Sequence, residues 1–260
     1  MKATGKGSMD NLFLRGLRDG RRLLGAIVTL PLPEIAESLA RCGFDWLWID
    51  MEHSALSLRE TGALLVACAG RAAGLVRIPP QDPVRICQVL DLGADGIIVP
   101  RIRTAAEAAA VVDAAKYPPG GQRGVGLGRA NGFGLEFEGY MARANSATAV
   151  VVQIENGDAV RHVEEILSVP GVDAALIGPY DLSASLGVPG GVNLPEVQEA
   201  MERVRRAGEE RRIPIGIFTL SPEDARRHLD RGYRFVAVGV DAHFLMTAAR
   251  RARDAVGPTA

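Results

Sequence analysis

The sequence predicts an α/β fold, namely a single (β/α)8 or TIM barrel preceded by a short N-terminal lead. Three observations lead there: eight short apolar runs, eight amphipathic segments that alternate with them, and no linker or break in composition between the units. The chain has 260 residues, and barrels of about 250 residues commonly form one domain. We therefore assign 1–260 to one domain, with a core from about 23 to 253. A doubly wound open sheet is the alternative, but it usually has fewer strands.

The eight runs have strand character because they are short and mostly apolar on both faces, as strands of a parallel sheet are. In chain order they are Leu23–Leu30, Phe44–Ile49, Gly74–Ile78, Gly96–Pro100, Ala149–Ile154, Asp173–Gly178, Ile213–Phe218 and Phe235–Val240. Parallel strands require crossover connections, and the segments between the runs are long enough to supply them.

The segments between the runs carry apolar residues at helical spacing. They are Glu34–Arg41, Leu58–Ala69, Pro83–Leu90, Ala105–Ala115, Ala159–Leu167, Glu196–Arg211, Glu223–Arg231 and Ala242–Arg253. Thr104 and Glu107 have the spacing of a capping box, and Gly43 and Gly93 end helices just before a strand. The glycine-rich piece Tyr117–Gly134 is the one long irregular loop, which we expect to return across the barrel or to form a wall of the active site.

The composition excludes several classes of protein. Lys and Arg number 30 against 31 Asp and Glu, and aromatic residues are 5%, so neither a basic surface nor a stacking platform for nucleic acid is expected. No run approaches the roughly 20 apolar residues of a membrane span, and the first residues lack the apolar core of a secretion signal. Cys42, Cys68 and Cys87 form no CxxC motif and lie among apolar, helix-like residues. We expect buried, reduced thiols and a cytoplasmic protein.

Chemically active side chains stand where the predicted strands end, and in a barrel the carboxyl ends of the strands form the active site. The second strand runs into Asp50-Met51-Glu52-His53, the third ends at Arg77, the fourth at Pro100-Arg101, the fifth at Gln153-Ile154-Glu155, and the sixth runs into Gly178-Pro179-Tyr180-Asp181. Because these ends meet at one rim, we expect the side chains to form one site.

Two carboxylates at this rim predict a metal site. Glu155 and Asp181 follow adjacent strands, and two carboxylates with the other positions open suit Mg²⁺ or Mn²⁺, which keep waters and accept substrate oxygens. Free backbone N–H groups after Gly178, where a helix begins, can receive a carboxylate.

The remaining rim residues suit proton transfer and anion binding. His53 is the only histidine at a strand end, and Asp50 or Glu52 can hold its tautomer. Arg77 can bind a substrate carboxylate or stabilise a developing enolate oxygen. These residues predict a metal-assisted reaction on a small anionic carbonyl compound, but they do not by themselves specify aldol cleavage.

The same residues lie in stretches that resemble the HpcH/HpaI aldolase family. The resemblance runs from about Leu23 to Arg250, and its DxEH, VR, QIE and GPxDLS elements are specific when they occur together in this order. The stretches are Phe44–Ser57, Val76–Ala108, Tyr117–Gly126, Val151–Val160, Gly171–Gly187 and Arg234–Leu245.

The resemblance implies a class II, metal-dependent aldolase. Such an enzyme cleaves or forms 4-hydroxy-2-oxo acids or 2-keto-3-deoxy sugar acids, with pyruvate and an aldehyde as the products of cleavage. By motif position, Glu155 and Asp181 resemble ligands of Mg²⁺ or Mn²⁺, with Co²⁺ a further candidate. His53 resembles the base, acting directly or through a water, and Arg77 resembles the residue that orients pyruvate and stabilises its enolate.

The resemblance also implies supporting roles. Asp91 resembles a carboxylate that pairs with the catalytic histidine, and Gln153 matches a residue near the metal. Asp50 and Glu52 match motif positions that order the site. Tyr180 stands where several family aldolases have a small residue, which narrows the room above pyruvate. Gly178 and Pro179 belong with it to the substrate-binding turn.

Family members are typically hexamers, built as trimers of dimers, in which neighbouring subunits complete the site. The resemblance therefore implies a homo-oligomer, and the helix Ala242–Arg253 is one that some members exchange between subunits. A CoA-ester lyase of the citramalyl or malyl type is the alternative enzyme. An inactive barrel that serves as a binding module is a minor alternative.

The lysines bear on the mechanism. Lys2, Lys6 and Lys116 are the only three in the chain, and none lies on a predicted strand or at its carboxyl end. A Schiff-base aldolase needs a lysine in its active site. If this barrel makes an enolate, a metal and Arg77 are therefore the available electron sinks.

Overall fold

Eight parallel strands close into a barrel in which each strand pairs with the next and the last pairs with the first. The computed structural model describes residues 11–80 and 82–257. The strands are β1 (Leu23–Val28), β2 (Trp46–Asp50), β3 (Ala73–Arg77), β4 (Gly96–Val99), β5 (Ala149–Ile154), β6 (Ala174–Ile177), β7 (Ile215–Thr219) and β8 (Phe235–Val240). The predicted (β/α)8 barrel is confirmed, and the open-sheet alternative is wrong.

Among the described residues, one helix precedes the first strand, one follows the last strand, and the others lie in the connections between strands. The helices are α1 (Leu12–Arg18), α2 (Pro33–Arg41), α3 (Leu58–Cys68), α4 (Pro83–Asp91), α5 (Ala105–Ala115), α6 (Phe137–Met141), α7 (Ala144–Ala147), α8 (Gly157–Arg161), α9 (Val163–Leu167), α10 (Pro179–Ser185), α11 (Pro195–Arg211), α12 (Pro222–Asp230) and α13 (Asp241–Val256), with a 3-10 helix at Arg129–Gly134. The predicted helix Ala159–Leu167 is in fact the pair α8 and α9, which meet at His162. No helix in the described part of the chain is long and apolar enough to cross a bilayer.

The first helix closes the amino end of the barrel, where the sequence predicts only a lead. The Phe13 ring centroid lies 5.1 Å from that of Phe235 and 5.7 Å from that of Trp46, both edge to face. Trp46 and Phe235 are the first residues of β2 and β8. Helix α1 is therefore part of the core inside the barrel, while residues 1–10 of the lead lie outside the described residues.

Two glycines make room for the large rings inside the barrel. A Cβ on Gly25 would overlap the indole of Trp46, and one on Gly216 would overlap the ring of Phe235. Because both rings are fully buried, they have no free space to move into. The amino half of the interior is therefore filled with aromatic and aliphatic side chains and is closed to ligands.

The irregular loop Tyr117–Gly134 packs away from the carboxyl ends of the strands. Arg123 binds Asp91 with an Nη2···Oδ1 distance of 2.6 Å, and Arg129 Nη1 donates to the Leu92 carbonyl at 3.0 Å. Helix α4 connects β3 to the amino end of β4, and its last residue, Asp91, contacts this loop. The expectation that the loop crosses the barrel or forms a wall of the active site is therefore wrong for this chain's own barrel.

The described lysine also lies at the amino end. Lys116 Nζ donates to the carbonyls of Asn145 and Thr148 at 2.7 and 2.6 Å and lies 3.5 Å from Asp173, which precedes β6. Burial lowers the pKa of Lys116, and the Asp173 carboxylate partly restores it. No lysine of the described residues stands at the carboxyl rim; Lys2 and Lys6 lie outside them.

The cysteines differ in exposure. Cys68 is buried, Cys87 is partly buried and Cys42 is exposed, and all three are free thiols. The expectation of burial is wrong for Cys42, because it follows the last residue of α2 at the surface.

We expect Gly25→Ala to lower the free energy of unfolding by about 1–3 kcal/mol, because the new methyl group overpacks the barrel interior against Trp46. Gly124→Ala is the matched control, since a Cβ there meets no atom within 4 Å. Urea unfolding of both variants measures the difference. Equal stability of the two variants would show that the interior has enough free space around Trp46 to accommodate the methyl group.

Candidate active site

The interior of the barrel changes from apolar to polar toward the carboxyl ends of the strands. Alternate residues of a strand face the same side, so each inward row can be read along its strand. The rows are Trp46, Trp48 and Asp50 on β2, Ala73, Leu75 and Arg77 on β3, and Ala149, Val151 and Gln153 on β5. Each row begins with buried apolar residues and ends with a polar one. The rim site thus rests directly on the packed core.

Arg77 and Asp50 form a buried ion pair at the ends of paired strands. Arg77 is 6% and Asp50 is 2% exposed. Arg77 Nε donates to Asp50 Oδ1 at 2.9 Å and Nη2 donates to Oδ2 at 2.7 Å, a two-pronged, charge-assisted arrangement. The guanidinium also stacks 4.6 Å above the Trp48 ring. Arg77 is therefore held in one orientation before any ligand arrives.

Glu52 lies close to two arginines and a histidine at the rim. Its Oε2 lies 3.3 Å from Arg77 Nη1 and 3.8 Å from His53 Nε2, and its Oε1 lies 3.6 Å from Arg101 Nε. Burial raises the pKa of Glu52, and the charges of Arg77, His53 and Arg101 oppose that rise. Glu52 is the carboxylate that the structure places beside the histidine.

His53 lies at the mouth of the site, and its side chain is 59% exposed. Its backbone N–H donates to Asp50 Oδ1 at 3.3 Å, which anchors the turn after β2 to the Arg77–Asp50 pair. Asp91, predicted as the histidine's partner, binds Arg123 at the amino end of its own barrel. Within one chain, His53 and Asp91 are thus at opposite ends of the barrel.

Glu155 is buried and fixed from two sides. Its Oε1 accepts a hydrogen bond from the Arg101 backbone N–H at 2.7 Å, and its Oε2 accepts one from Gln153 Nε2. Burial raises the pKa of Glu155 to about 7; the hydrogen bond from Arg101 opposes this, and the negative charge of Asp181 adds to it. The buried Gln153 Oε1 has no hydrogen-bond partner among the described residues.

The turn from β6 into α10 completes the rim. A Cβ on Gly178 would lie 2.9 Å from Gln153 Nε2 and 3.0 Å from Glu155 Oε2, so glycine keeps the space beside that carboxylate open. Asp181 is exposed in the first turn of α10. Tyr180 is about half exposed, with its ring centroid 6.4 Å from that of Phe218. Pro179 occupies the first position of the helix.

The acidic groups at the rim fit a cation that binds few protein ligands. Within the described ranges, no cluster of three or more His, Cys, Asp or Glu side chains has the geometry of a metal cage. Glu155 and Asp181 interact through their charges, and the Gly178 turn leaves room beside Glu155. Mg²⁺ is commonly held by one or two carboxylates, with water and substrate as its other ligands.

Arg101 is a rim residue for which the sequence predicts no role. Its φ is +59°, a left-handed backbone conformation that non-glycine residues rarely adopt. The sequence carries no signal for this conformation, because glycine or asparagine is the usual residue there.

Comparisons with known proteins show the family of the chain. The family model described as HpcH/HpaI aldolase/citrate lyase matches residues 26–248. The chain belongs to this family. A 4-hydroxy-2-oxovalerate aldolase from Rhodococcus jostii is 43% identical over 94% of this chain and 96% of that protein. A 4-hydroxy-2-oxo-heptane-1,7-dioate aldolase from Shigella sonnei is 41% identical over 93% of each chain.

A solved structure shows the same fold. The HpcH/HpaI aldolase/citrate lyase family protein from Burkholderia cenocepacia superposes with a TM-score of 0.92 at 37% identity, over 95% of this chain and 100% of that one. With aldolases at about 40% identity across nearly the whole chain, this family member is a carbon–carbon lyase that acts on small molecules.

We expect the Arg77–Asp50 pair to show strong coupling in a double-mutant cycle. Asp50→Asn, Arg77→Gln and the double variant should give an interaction energy of about 1–3 kcal/mol in urea unfolding, because each single change leaves a buried group unmatched. The exposed Arg41–Glu37 pair, with an N···O distance of 2.7 Å, is the control and should give about 0.3–0.5 kcal/mol. Additive effects at Asp50 and Arg77 would contradict this account.

Proposed function

We propose that this enzyme is a class II aldolase that cleaves 4-hydroxy-2-oxo acids, or 2-keto-3-deoxy sugar acids, into pyruvate and an aldehyde, and catalyses the reverse addition. The observation that carries the proposal is the rim site itself. The buried carboxylate of Glu155 interacts with the negative charge of Asp181 and borders the space that Gly178 leaves open. The fixed cation Arg77 lies in the same rim.

Glu155 and Asp181 are the residues that would hold a divalent cation, and Mg²⁺ or Mn²⁺ suits two carboxylates best, with Co²⁺ a further candidate. When bound, the cation supplies Lewis-acid stabilisation of the negative charge that develops on the keto oxygen of the substrate. Two observations support this assignment. Burial and the nearby charge of Asp181 raise the pKa of Glu155, a change that a bound cation would oppose, and the buried Gln153 Oε1 has no hydrogen-bond partner among the described residues.

The chain's own groups bind and orient the pyruvate half. Arg77 is locked by Asp50 and Glu52, so its positive charge is preorganised for the enolate oxygen. Backbone N–H groups at the start of α10, beginning at Tyr180, receive the pyruvate carboxylate. Pro179 has no N–H and sets the first turn of that helix.

His53 acts as the base in cleavage. It takes the proton from the C4 hydroxyl group of the substrate. The C3–C4 bond then breaks, the electron pair of that bond goes to the pyruvate enolate, and C4 leaves as the carbonyl carbon of the aldehyde. Protonation of the enolate at C3 gives pyruvate. Glu52 lies on the same side of the imidazole as Nε2 and stabilises its protonated form.

The pairing of His53 with Asp91 requires a second subunit. Because the two side chains lie at opposite ends of one barrel, Asp91 reaches a histidine only in a neighbouring copy. Exposed apolar residues support an oligomer, which we propose is a hexamer built as a trimer of dimers. They are Leu245 and Met246 on α13, and Val125, Leu127, Phe133 and Leu135 in the segment that packs on Asp91.

The compartment we propose is the cytoplasm, where the three free cysteines would stay reduced.

The relatives differ in the far end of the substrate. One is named for oxovalerate, a monoacid, and another for oxo-heptane-1,7-dioate, a diacid. Both are named for free acids rather than CoA esters, which favours the aldolase over a citramalyl or malyl-CoA lyase.

Pyruvate release from a panel of racemic 4-hydroxy-2-oxo acids tests the function directly. We expect release with Mg²⁺ or Mn²⁺, loss of activity with a chelator, and recovery when the metal is added back. Borohydride with pyruvate should not trap the protein, because no described lysine stands at the rim. Activity confined to citramalyl-CoA or malyl-CoA would overturn the proposal, and so would chelator-resistant activity that borohydride traps.

His53→Ala should lower kcat for cleavage by about 10²- to 10⁴-fold, the usual contribution of a general base, while pyruvate affinity changes by a few fold at most. His162→Ala is the matched control, because His162 is exposed at the α8–α9 junction, where it contacts Glu165. Steady-state kinetics and pyruvate inhibition separate the two effects. Unchanged turnover in His53→Ala would show that another group is the base.

Gly178→Ala should weaken Mn²⁺ binding by about 10- to 100-fold, as changes around metal ligands commonly do, because the methyl group would press on Glu155 Oε2 and Gln153 Nε2. Gly157→Ala is the control, since its nearest neighbour would be at an ordinary 3.5 Å. Titration calorimetry of the metal alone gives both constants. Equal affinities would place the cation away from Glu155.

A further inference from the structure

Arg101 holds an unusual position at the mouth of the site. It follows β4 and Pro100, and its φ of +59° turns the chain so that the backbone N–H reaches Glu155 while the guanidinium approaches Glu52. A non-glycine residue in this conformation costs of order 1 kcal/mol. The fold therefore keeps a strained arginine at the rim, although a glycine would supply the same backbone hydrogen bond without strain.

The side chain of Arg101 is incompletely matched. Its Nε lies 3.6 Å from Glu52 Oε1, beyond hydrogen-bond distance, and no hydrogen bond from either Nη group to another of residues 11–80 and 82–257 is seen. Glu52 is already balanced by Arg77, at 3.3 Å. The outer edge of the Arg101 guanidinium therefore remains available to an anion.

Arg77 and Arg101 differ in exposure and therefore in the part of the site that they can contact. Arg77 is 6% exposed and belongs to the inner end of the site, whereas the Arg101 side chain is 62% exposed. A substrate whose pyruvate half binds beside Glu155 and Arg77 extends outward with its aldehyde half.

We propose that Arg101 is a specificity-determining residue that binds an anionic group, a carboxylate or a phosphate, at the far end of the aldehyde half of the substrate. The inference rests on the proposed aldolase function. A guanidinium binds such groups through two parallel N–H donors, and Glu52 positions the Nε edge of the fork. The enzyme then prefers 4-hydroxy-2-oxo acids with a second acidic group over those that end in an alkyl chain.

The test compares aldehydes in the addition reaction with pyruvate. The acceptors are 4-oxobutanoate, its neutral methyl ester, and 3-oxopropyl phosphate. For the wild type we expect a higher kcat/KM with an anionic acceptor than with the ester, mainly through a lower KM. The favoured anion identifies the group as carboxylate or phosphate.

Variants separate the side chain from the backbone. Arg101→Gly keeps and relaxes the left-handed backbone, so it removes only the guanidinium; the ratio of anionic to neutral kcat/KM should fall about 10- to 100-fold. Arg101→Lys should restore part of the ratio. Arg103→Met is the matched control, because Arg103 is an exposed arginine two residues on, for which only a backbone contact, to Glu107, is seen.

Exchange of the methyl protons of pyruvate for deuterium distinguishes the two levels of the proposal. Without exchange in the wild type, the aldolase function itself is wrong. With exchange, the Arg101 inference is overturned if the wild type shows no preference for an anionic acceptor. It is also overturned if Arg101→Gly keeps the preference, or if Arg103→Met loses it to the same extent.

Discussion

A buried positive charge at the carboxyl end of the barrel constrains the whole site. An unpaired guanidinium in this position would cost several kcal/mol, so Arg77 requires Asp50, which accepts two of its hydrogen bonds, and the nearby charge of Glu52. Asp50 and Arg77 are direct neighbours in the β2–β3 register, so their pairing also fixes the ends of these strands. The turn that carries His53 is anchored to the same carboxylate. A rigid cation and a fixed turn for His53, the proposed base, therefore follow from one electrostatic requirement.

The opposite end of the barrel supplies the support for this arrangement. Phe13, Trp46 and Phe235 pack edge to face and close the amino end. Gly25 and Gly216 provide the space that these rings occupy. Because a closely packed interior has low compressibility, it holds the rim side chains above it in fixed positions. Chemistry is thus confined to the rim, where Glu155 is buried yet borders an open space.

Periodicity and strand ends predicted most of the fold and the rim, because parallel strands leave a clear apolar signal and their carboxyl ends share one edge. Helix α1 was not predicted because a segment of seven residues is too short to show helical periodicity. The contact between Asp91 and Arg123 was not predicted, because a motif gives only a position in the chain, while this contact depends on how the loop that carries Arg123 folds. The left-handed backbone of Arg101 has no sequence signal, since its strain is maintained by contacts with Glu155 and Glu52 that are distant in sequence.

In the proposed mechanism, Glu155, a divalent cation and Arg77 together make an enolate from pyruvate. Deuterium exchange of the pyruvate methyl group, followed by NMR without any aldehyde, tests this most directly. We expect exchange with Mg²⁺ or Mn²⁺ that is lost with a chelator and in Glu155→Gln. It should be retained in Glu165→Gln, because Glu165 is an exposed glutamate on α9. Exchange that persists in Glu155→Gln or after metal removal would contradict it.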